Sequence, residues 1–144
     1  MPTRPQFILW AFGIIRNEEG KILRVQRNDI QRNGDYSRTL PWWGVEDNES
    51  PRDAAIREVK EETGLDVEIV KLVGLYAKDY QNEVCFTFEC KVTWGELTLN
   101  EEARAFARYS LEELPKAISE RQVARVKDFL INEEALTRRI ERAY

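Results

Sequence analysis

The run WGVEDNESPRDAAIREVKEETGL, from Trp43 to Leu65, carries the clearest structural signal in the chain. Ser50 suits the position that caps a helix N-terminus, and Pro51 suits the first helical turn. Gly64 suits the left-handed position just beyond a helix end, where a side chain would be strained. These signals predict a helix from about Pro51 to Thr63.

Three glutamates of this helix are spaced i, i+3 and i+4, so Glu58, Glu61 and Glu62 lie on one face. Crowded carboxylates repel one another and disfavour the helix unless positive charge stands among them. Oxygen-only ligands suit hard cations such as Mg²⁺, Mn²⁺ or Ca²⁺. A solvated acidic face is the simpler alternative for such a cluster. The neighbouring stripe is predicted to face the core: Ala55, Ile56, Val59 and Thr63.

The whole stretch resembles the Nudix box, G-x5-E-x7-R-E-U-x-E-E-x-G-U, in which U is a bulky aliphatic residue. The matching positions are Glu49, Arg57, Glu58, Val59, Glu61, Glu62, Gly64 and Leu65. One position departs from the box, because Trp43 stands where the family has its first glycine. The long, fixed spacing makes the motif specific. We therefore identify residues 1–144 as a single Nudix hydrolase domain, of the MutT-like kind, with its box at 43–65.

The resemblance implies hydrolysis of a diphosphate linked to another moiety, usually a nucleoside, with Mg²⁺ or Mn²⁺ as cofactor. The catalytic set it implies is Arg57, Glu58, Glu61 and Glu62. The implied metal ligands are Glu58, Glu61, Glu62 and an acidic residue before a late strand, either Glu101 or Glu102, with Glu102 preferred. Arg57 would orient a catalytic carboxylate through a charge-assisted hydrogen bond. Glu49 and Gly64 would support the ends of the helix.

Four residues outside the glutamate face are candidates for binding substrate. Arg27 ends a predicted strand and suits a phosphate or a base, although a solvated arginine fits the same position. Tyr36 lies in a polar stretch where it could line a cleft or stay exposed. Trp42 and Trp43 could stack on a nucleobase or pack the loop onto the body of the domain. We expect packing for at least one of the two tryptophans.

Length, charge and residue types bound the remaining possibilities. The chain has 144 residues, enough for one domain with a real core, and a net charge of −4 with no histidine. The negative charge argues against broad binding of nucleic acid or anionic membranes. With no apolar run of spanning length and no secretory signal, we expect a cytoplasmic enzyme acting on a small nucleotide or diphosphate. The family resemblance leaves a homodimer open.

The order of elements predicts an α/β fold, an α/β/α sandwich with a mixed β-sheet, which the resemblance also implies. The stretch 17–20 is predicted to be a hairpin turn between the first two strands. Gly74 is predicted to mark a bend or bulge in a long strand, and residues 97–99 a short further strand. The tail from Asn132 to Tyr144 has Leu136 and Ile140 one helical turn apart, which predicts a helix.

Two functions from different classes follow from these observations. The first is a metal-dependent Nudix pyrophosphohydrolase acting on a nucleoside diphosphate derivative or a nucleoside triphosphate. The second is a catalytically weak Nudix domain that binds or senses a nucleotide, an interpretation motivated only by Trp43 in the box. The complete set of box carboxylates favours the first.

Overall fold

The fold is taken from a computed structural model that describes residues 4–30, 36–39, 42–101, 103–110, 112–113, 120–131 and 136–139. The elements within these ranges are β1 (Ile8–Ile15), β2 (Ile22–Ile30), β3 (Tyr36–Thr39), β4 (Trp42–Gly44), α1 (Pro51–Thr63), β5 (Asp66–Lys78), β6 (Glu83–Trp94), β7 (Ala103–Tyr109), α2 (Glu120–Ile131) and β8 (Leu136–Arg139). A 3₁₀ turn at Asp79–Gln81 joins β5 to β6. Within these ranges, neither helix is long and apolar enough to cross a membrane.

Helix α1 begins and ends where the sequence predicts. The Ser50 hydroxyl accepts a hydrogen bond from the backbone N–H of Asp53 at 3.1 Å, which satisfies a free donor of the first turn. Gly64 ends the helix with φ +83°, and its N–H donates to the carbonyl of Lys60 at 2.9 Å. A side chain at Gly64 would also collide with the backbone carbonyl of Glu96. The position therefore requires glycine on two grounds.

The strands form two sheets. The five-stranded sheet has the order β4-β1-β6-β5-β8, and the three-stranded sheet has the order β3-β2-β7. The larger sheet is mixed, because β1 pairs parallel with β6 and β5 parallel with β8, while the other pairs are antiparallel. The expectation of a mixed sheet is therefore confirmed, although the strands divide between two sheets.

The two helices pack on opposite faces of the larger sheet. Ile15 of β1 belongs to the core cluster that includes Ala55 and Val59 of α1. Its neighbour Ile14 belongs to a second cluster with Val126 of α2. Because successive residues of a strand point to opposite faces, this alternation places one helix on each side of the sheet. The predicted α/β/α sandwich is confirmed.

Two short-range predictions are confirmed, and the helix predicted in the tail is wrong where the structure describes it. The turn at residues 17–20 forms between β1 and β2, with Asn17 Oδ1 accepting from the Lys21 N–H at 2.9 Å, and the strand register shifts at Gly74. Residues 136–139, predicted as helix, instead form β8. Pairing with the edge of β5 satisfies their backbone N–H and C=O groups, and the spacing of apolar residues does not predict this long-range pairing. Residues 97–99 are not a strand. Ile56 is 39% exposed rather than in the core.

Candidate active site

Helix α1 presents its three glutamates at very different depths. Glu62 is only 1% exposed, because its position borders the buried stripe of Ala55 and Val59. The Glu58 side chain is 17% exposed and the Glu61 side chain 55%. The acidic face therefore runs from the interior to the surface across one helical turn. A solvated face, the simpler alternative, does not describe a carboxylate buried as deeply as that of Glu62.

Arg57 joins the helix to the loop that precedes it. Its Nε and Nη2 donate to the two carboxylate oxygens of Glu49 at 3.0 and 2.7 Å, a bidentate pair. Its Nη1 donates to Glu58 Oε1 at 2.7 Å and to Glu61 Oε2 at 3.2 Å. Glu49 Oε1 also accepts from the Glu46 N–H at 3.0 Å, which ties the loop to the same arginine. Arg57 thus fixes the positions of three carboxylates at once.

These hydrogen bonds set the electrostatics of the loop–helix junction. The hydrogen bond from Arg57 lowers the pKa of Glu49 below its ordinary value, and the bond from the Glu46 N–H adds to the effect. The bond to Glu49, helped by that to Glu58, raises the pKa of Arg57. Both groups therefore stay charged at neutral pH.

Arg27, predicted to touch substrate, contacts the buried glutamate. Its Nη1 lies 3.2 Å from Glu62 Oε1, so β2 supplies a positive charge to the carboxylate that α1 buries. The carboxamide of Asn100 donates to the backbone carbonyl of Glu62 at 2.5 Å. The carboxamide of Asn28, next to Arg27, donates to the carbonyl of Glu101. β2 and the loop before β7 therefore both hold the segment around Glu62.

The other predicted site residues fall in different places. Trp43 is 4% exposed and lies in the core cluster with Ala11 of β1, so its side chain packs β4 onto the domain and does not face a cleft. Trp42 and Tyr36 lie on β4 and β3, and their side chains are outside the described residues. Glu102 lies outside them too, whereas Glu101 is exposed beside β7.

The donor set on α1 fits a hard divalent cation in its chemistry. All three groups are carboxylates, and the buried one already requires a positive partner, a role that Arg27 fills. As the side chains stand, no three acidic, cysteine or histidine groups converge on one point within the described part of the chain. Glu58 and Glu61 turn toward Arg57. Metal binding would therefore require the side chains of Glu58 and Glu61 to turn away from Arg57.

Two features of the site escaped sequence reasoning. The pairing of Arg27 with Glu62 joins residues 35 positions apart, and no local pattern encodes it. Asn100 is not among the predicted site residues, although a carboxamide directly before two acidic residues is a signal that identifies it as a candidate. Arg27 contacts the carboxylate of Glu62 and Asn100 its backbone carbonyl, so this glutamate is held at both its side chain and its backbone.

Replacing Arg57 with lysine should raise the pKa of Glu49 toward its ordinary value, because lysine cannot form the bidentate fork. A group with a lowered pKa stabilises the fold above its unfolded-state pKa and loses that contribution as the pH falls through the lowered value. In Arg57→Lys the stability lost on the acid side should therefore be smaller and should be complete at a higher pH. A carboxyl ¹³C NMR titration of both proteins measures the change.

The matched control for this titration is Glu113. Its pKa is lowered by hydrogen bonds from Ser110, not by Arg57, so it should titrate alike in both proteins. Arg52→Lys, an exposed change on the same helix, should leave Glu49 unaltered. An unshifted Glu49 in Arg57→Lys would contradict the assigned hydrogen bonds.

Comparison with known proteins gives a consistent result. The family model described as NUDIX domain matches residues 9–129. A MutT-like protein of Streptomyces ambofaciens is 31% identical over 118 residues, covering 82% of this chain and 73% of the relative. An ADP-ribose pyrophosphatase of Methanocaldococcus jannaschii is 30% identical over 122 residues, covering 82% of this chain and 70% of the relative. The crystal structure of an ADP-ribose pyrophosphatase from Streptococcus suis is 30% identical with a TM-score of 0.72, covering 94% of this chain and all of that one.

Proposed function

Because the chain belongs to the Nudix family of pyrophosphate-cleaving hydrolases, we propose that it is a divalent-metal-dependent pyrophosphatase acting on a nucleoside diphosphate derivative of the ADP-ribose type. The observation that carries the proposal is the acidic face of α1, where Glu62 is buried against Arg27 and Glu58 and Glu61 stand beside it. Two relatives that are each 30% identical are named ADP-ribose pyrophosphatases, which supports the substrate class.

The proposed roles combine what the family resemblance implies with the contacts of each side chain. Glu61 and Glu62 would be the principal ligands of Mg²⁺ or Mn²⁺, with Glu58 a further ligand or the base that takes a proton from the attacking water. The ion, when bound, supplies positive charge to the diphosphate and acidifies water. Arg57 would hold Glu58 in place through its 2.7 Å hydrogen bond. Arg27, which contacts Glu62, would bind a phosphate oxygen of the substrate.

The reaction itself adds one water molecule across a P–O–P linkage. A dense negative charge on the diphosphate repels an incoming hydroxide, so the site must supply positive charge before attack. Among the described residues of the site, Arg27 and Arg57 carry that charge. ADP-ribose would yield AMP and ribose 5-phosphate, whereas a nucleoside triphosphate would yield a monophosphate and pyrophosphate.

The alternative of a non-catalytic nucleotide-binding domain rests only on Trp43 in the box, and the position of Trp43 does not support it. That side chain packs against β1 in the core, with its ring beside Gly13. The replacement of the first box glycine by Trp43 therefore affects the packing of β4 against β1, and it leaves the acidic face of α1 complete.

A substrate panel tests the proposal directly. ADP-ribose, other nucleoside diphosphate derivatives and nucleoside triphosphates are incubated with the protein and Mg²⁺ or Mn²⁺, and ³¹P NMR identifies the products. We expect cleavage of ADP-ribose that stops when EDTA removes the ion. Preferred release of pyrophosphate from a triphosphate would overturn the substrate class but not the reaction. Binding of a nucleotide by calorimetry without any product would favour the non-catalytic alternative.

A further inference from the structure

Arg108 lies on the core-facing side of β7. In the antiparallel β2–β7 pair, Arg108 stands opposite Leu23, and Phe106 stands opposite Val25. Leu23 and Val25 are fully buried, and directly opposed residues of an antiparallel pair point to the same face of the sheet. Arg108 thus places a permanent charge at a position where its neighbours are apolar.

This guanidinium has an unsatisfied donor. The Nη1 atom of Arg108 is buried and has no hydrogen-bond partner within the described residues, and no ion pair is formed by the side chain there. Burial lowers the pKa of Arg108, yet an arginine remains protonated in proteins, so it carries a positive charge that no carboxylate of the described residues pairs with. Arg108 as a whole is half-buried, but a buried donor without a partner is rare and costly. The buried Nη1 donor is therefore available to an anion that the described residues do not supply.

A cavity large enough for such an anion lies against Arg108. Its volume is about 740 Å³, within the range of small-molecule pockets. Leu65, Val92 and Leu97 give it apolar wall. Its charged lining residues are three cations and three carboxylates: Arg16, Lys91, Arg108, Glu18, Glu89 and Glu96.

The charge balance of the cavity selects among anions. Arg16 and Glu89 face each other at 3.9 Å, so their charges partly cancel. The remaining charges, Lys91 and Arg108 against Glu18 and Glu96, balance, so a di- or triphosphate meets no excess of positive charge here. One negative charge placed on Arg108 meets its buried donor. The apolar wall favours a ligand with a hydrocarbon body. A carboxylate head suits a guanidinium best because the two can pair in a fork.

We propose that the cavity beside Arg108 binds an amphipathic monocarboxylate, with its carboxylate on the guanidinium and its hydrocarbon body against Leu65, Val92 and Leu97. The glutamates of the acidic α1 face at positions 58, 61 and 62 are not among its lining residues. The cavity is therefore a binding site in addition to the active site, and it does not depend on which nucleotide the enzyme cleaves.

Calorimetric titration with hexanoate tests the site, with acetate and 1-hexanol as probes that carry only the head or only the body. We expect hexanoate to bind at least about tenfold more tightly than either probe. Arg108→Leu, which keeps the wall apolar, should weaken hexanoate binding by about the same factor. Arg104→Leu, which removes an exposed arginine from the same strand, should leave binding unchanged.

Thermal unfolding separates a ligand site from a structural role. Without ligand, Arg108→Leu should melt at the same temperature as the parent protein or higher, because it removes a buried donor that has no partner among the described residues. With hexanoate, the parent midpoint should rise while that of the variant stays fixed. If Arg108→Leu does not fold, Arg108→Gln serves in the titration, with the same expected loss. Equal binding of hexanoate by parent and variant, equal binding of 1-hexanol, or no binding at all would each overturn the proposal.

Discussion

Glu62→Gln is expected to lower kcat by about 10³-fold with Mg²⁺ and a cleavable diphosphate substrate, since several kcal/mol of charge stabilisation depends on this ligand. Glutamine keeps the size of the side chain and an oxygen that can accept the hydrogen bond from Arg27. It loses the negative charge that a divalent cation requires. The substitution therefore removes the chemistry while it preserves most of the packing.

The structure adds a second expectation to this variant. Glu62 is buried and lies 3.2 Å from Arg27, so the neutral amide leaves that guanidinium without its carboxylate. Because the Arg27 side chain is 21% exposed, water replaces part of the lost interaction. We expect the free energy of unfolding to fall by about 1–3 kcal/mol. Urea denaturation measures this loss, which is too small to unfold the enzyme at room temperature.

Steady-state kinetics over a range of Mg²⁺ concentrations separates the two effects. Glu68→Gln, an exposed change on β5 outside the site, serves as the matched control and should retain parent turnover. If Glu62→Gln turns over at the parent rate, Glu62 is not a metal ligand. A fall in kcat that matches only the fraction unfolded would assign the residue to stability alone.

The sequence predicts the features of this site that depend on residues close together in the chain, and it does not predict those that depend on distant segments. The helix bounds follow from Ser50 and Gly64, because caps act within one turn. The shared face of the three glutamates follows from the helical repeat. The depth of Glu62 does not, because it depends on how α1 sits against β1 and β2, which no spacing within the helix encodes.

The same difference between local features and long-range contacts applies to the fold. The turn at residues 17–20 and the shift at Gly74 have local causes in Asn17 and in glycine. The separation of β1 and β2 into different sheets and the pairing of β8 with β5 arise between distant segments. Ile56 belonged by spacing to the core stripe, yet the buried face of α1 centres on Ala55 and Val59, which leaves Ile56 at its edge. Periodicity gives a face but not the exact direction in which the helix is turned.

The second large effect concerns the residue that departs from the Nudix box. Trp43→Gly restores the family glycine, but we expect it to lower the free energy of unfolding by about 4 kcal/mol, because it empties a space that the core cannot refill. Trp43 is 4% exposed, and its ring lies against Gly13 of β1. Its indole N–H has no hydrogen-bond partner among the described residues, so shape accounts for its stabilising effect. Trp94→Gly, at a tryptophan that is 73% exposed, is the matched control and should cost far less.

A substitution at Gly13 tests whether the Trp43 ring stabilises the protein by filling the space beside this glycine. A methyl group added there would lie 3.3 Å from Trp43 Cη2, closer than ordinary contact, so Gly13→Val should destabilise the parent by about 1–3 kcal/mol. In the Trp43→Gly background the same substitution enters empty space and should stabilise the protein. A double-mutant cycle by urea denaturation measures this reversal of sign. Additive effects of the two changes would show that the ring and the glycine do not fill one space, and the tryptophan in the box would then need another cause.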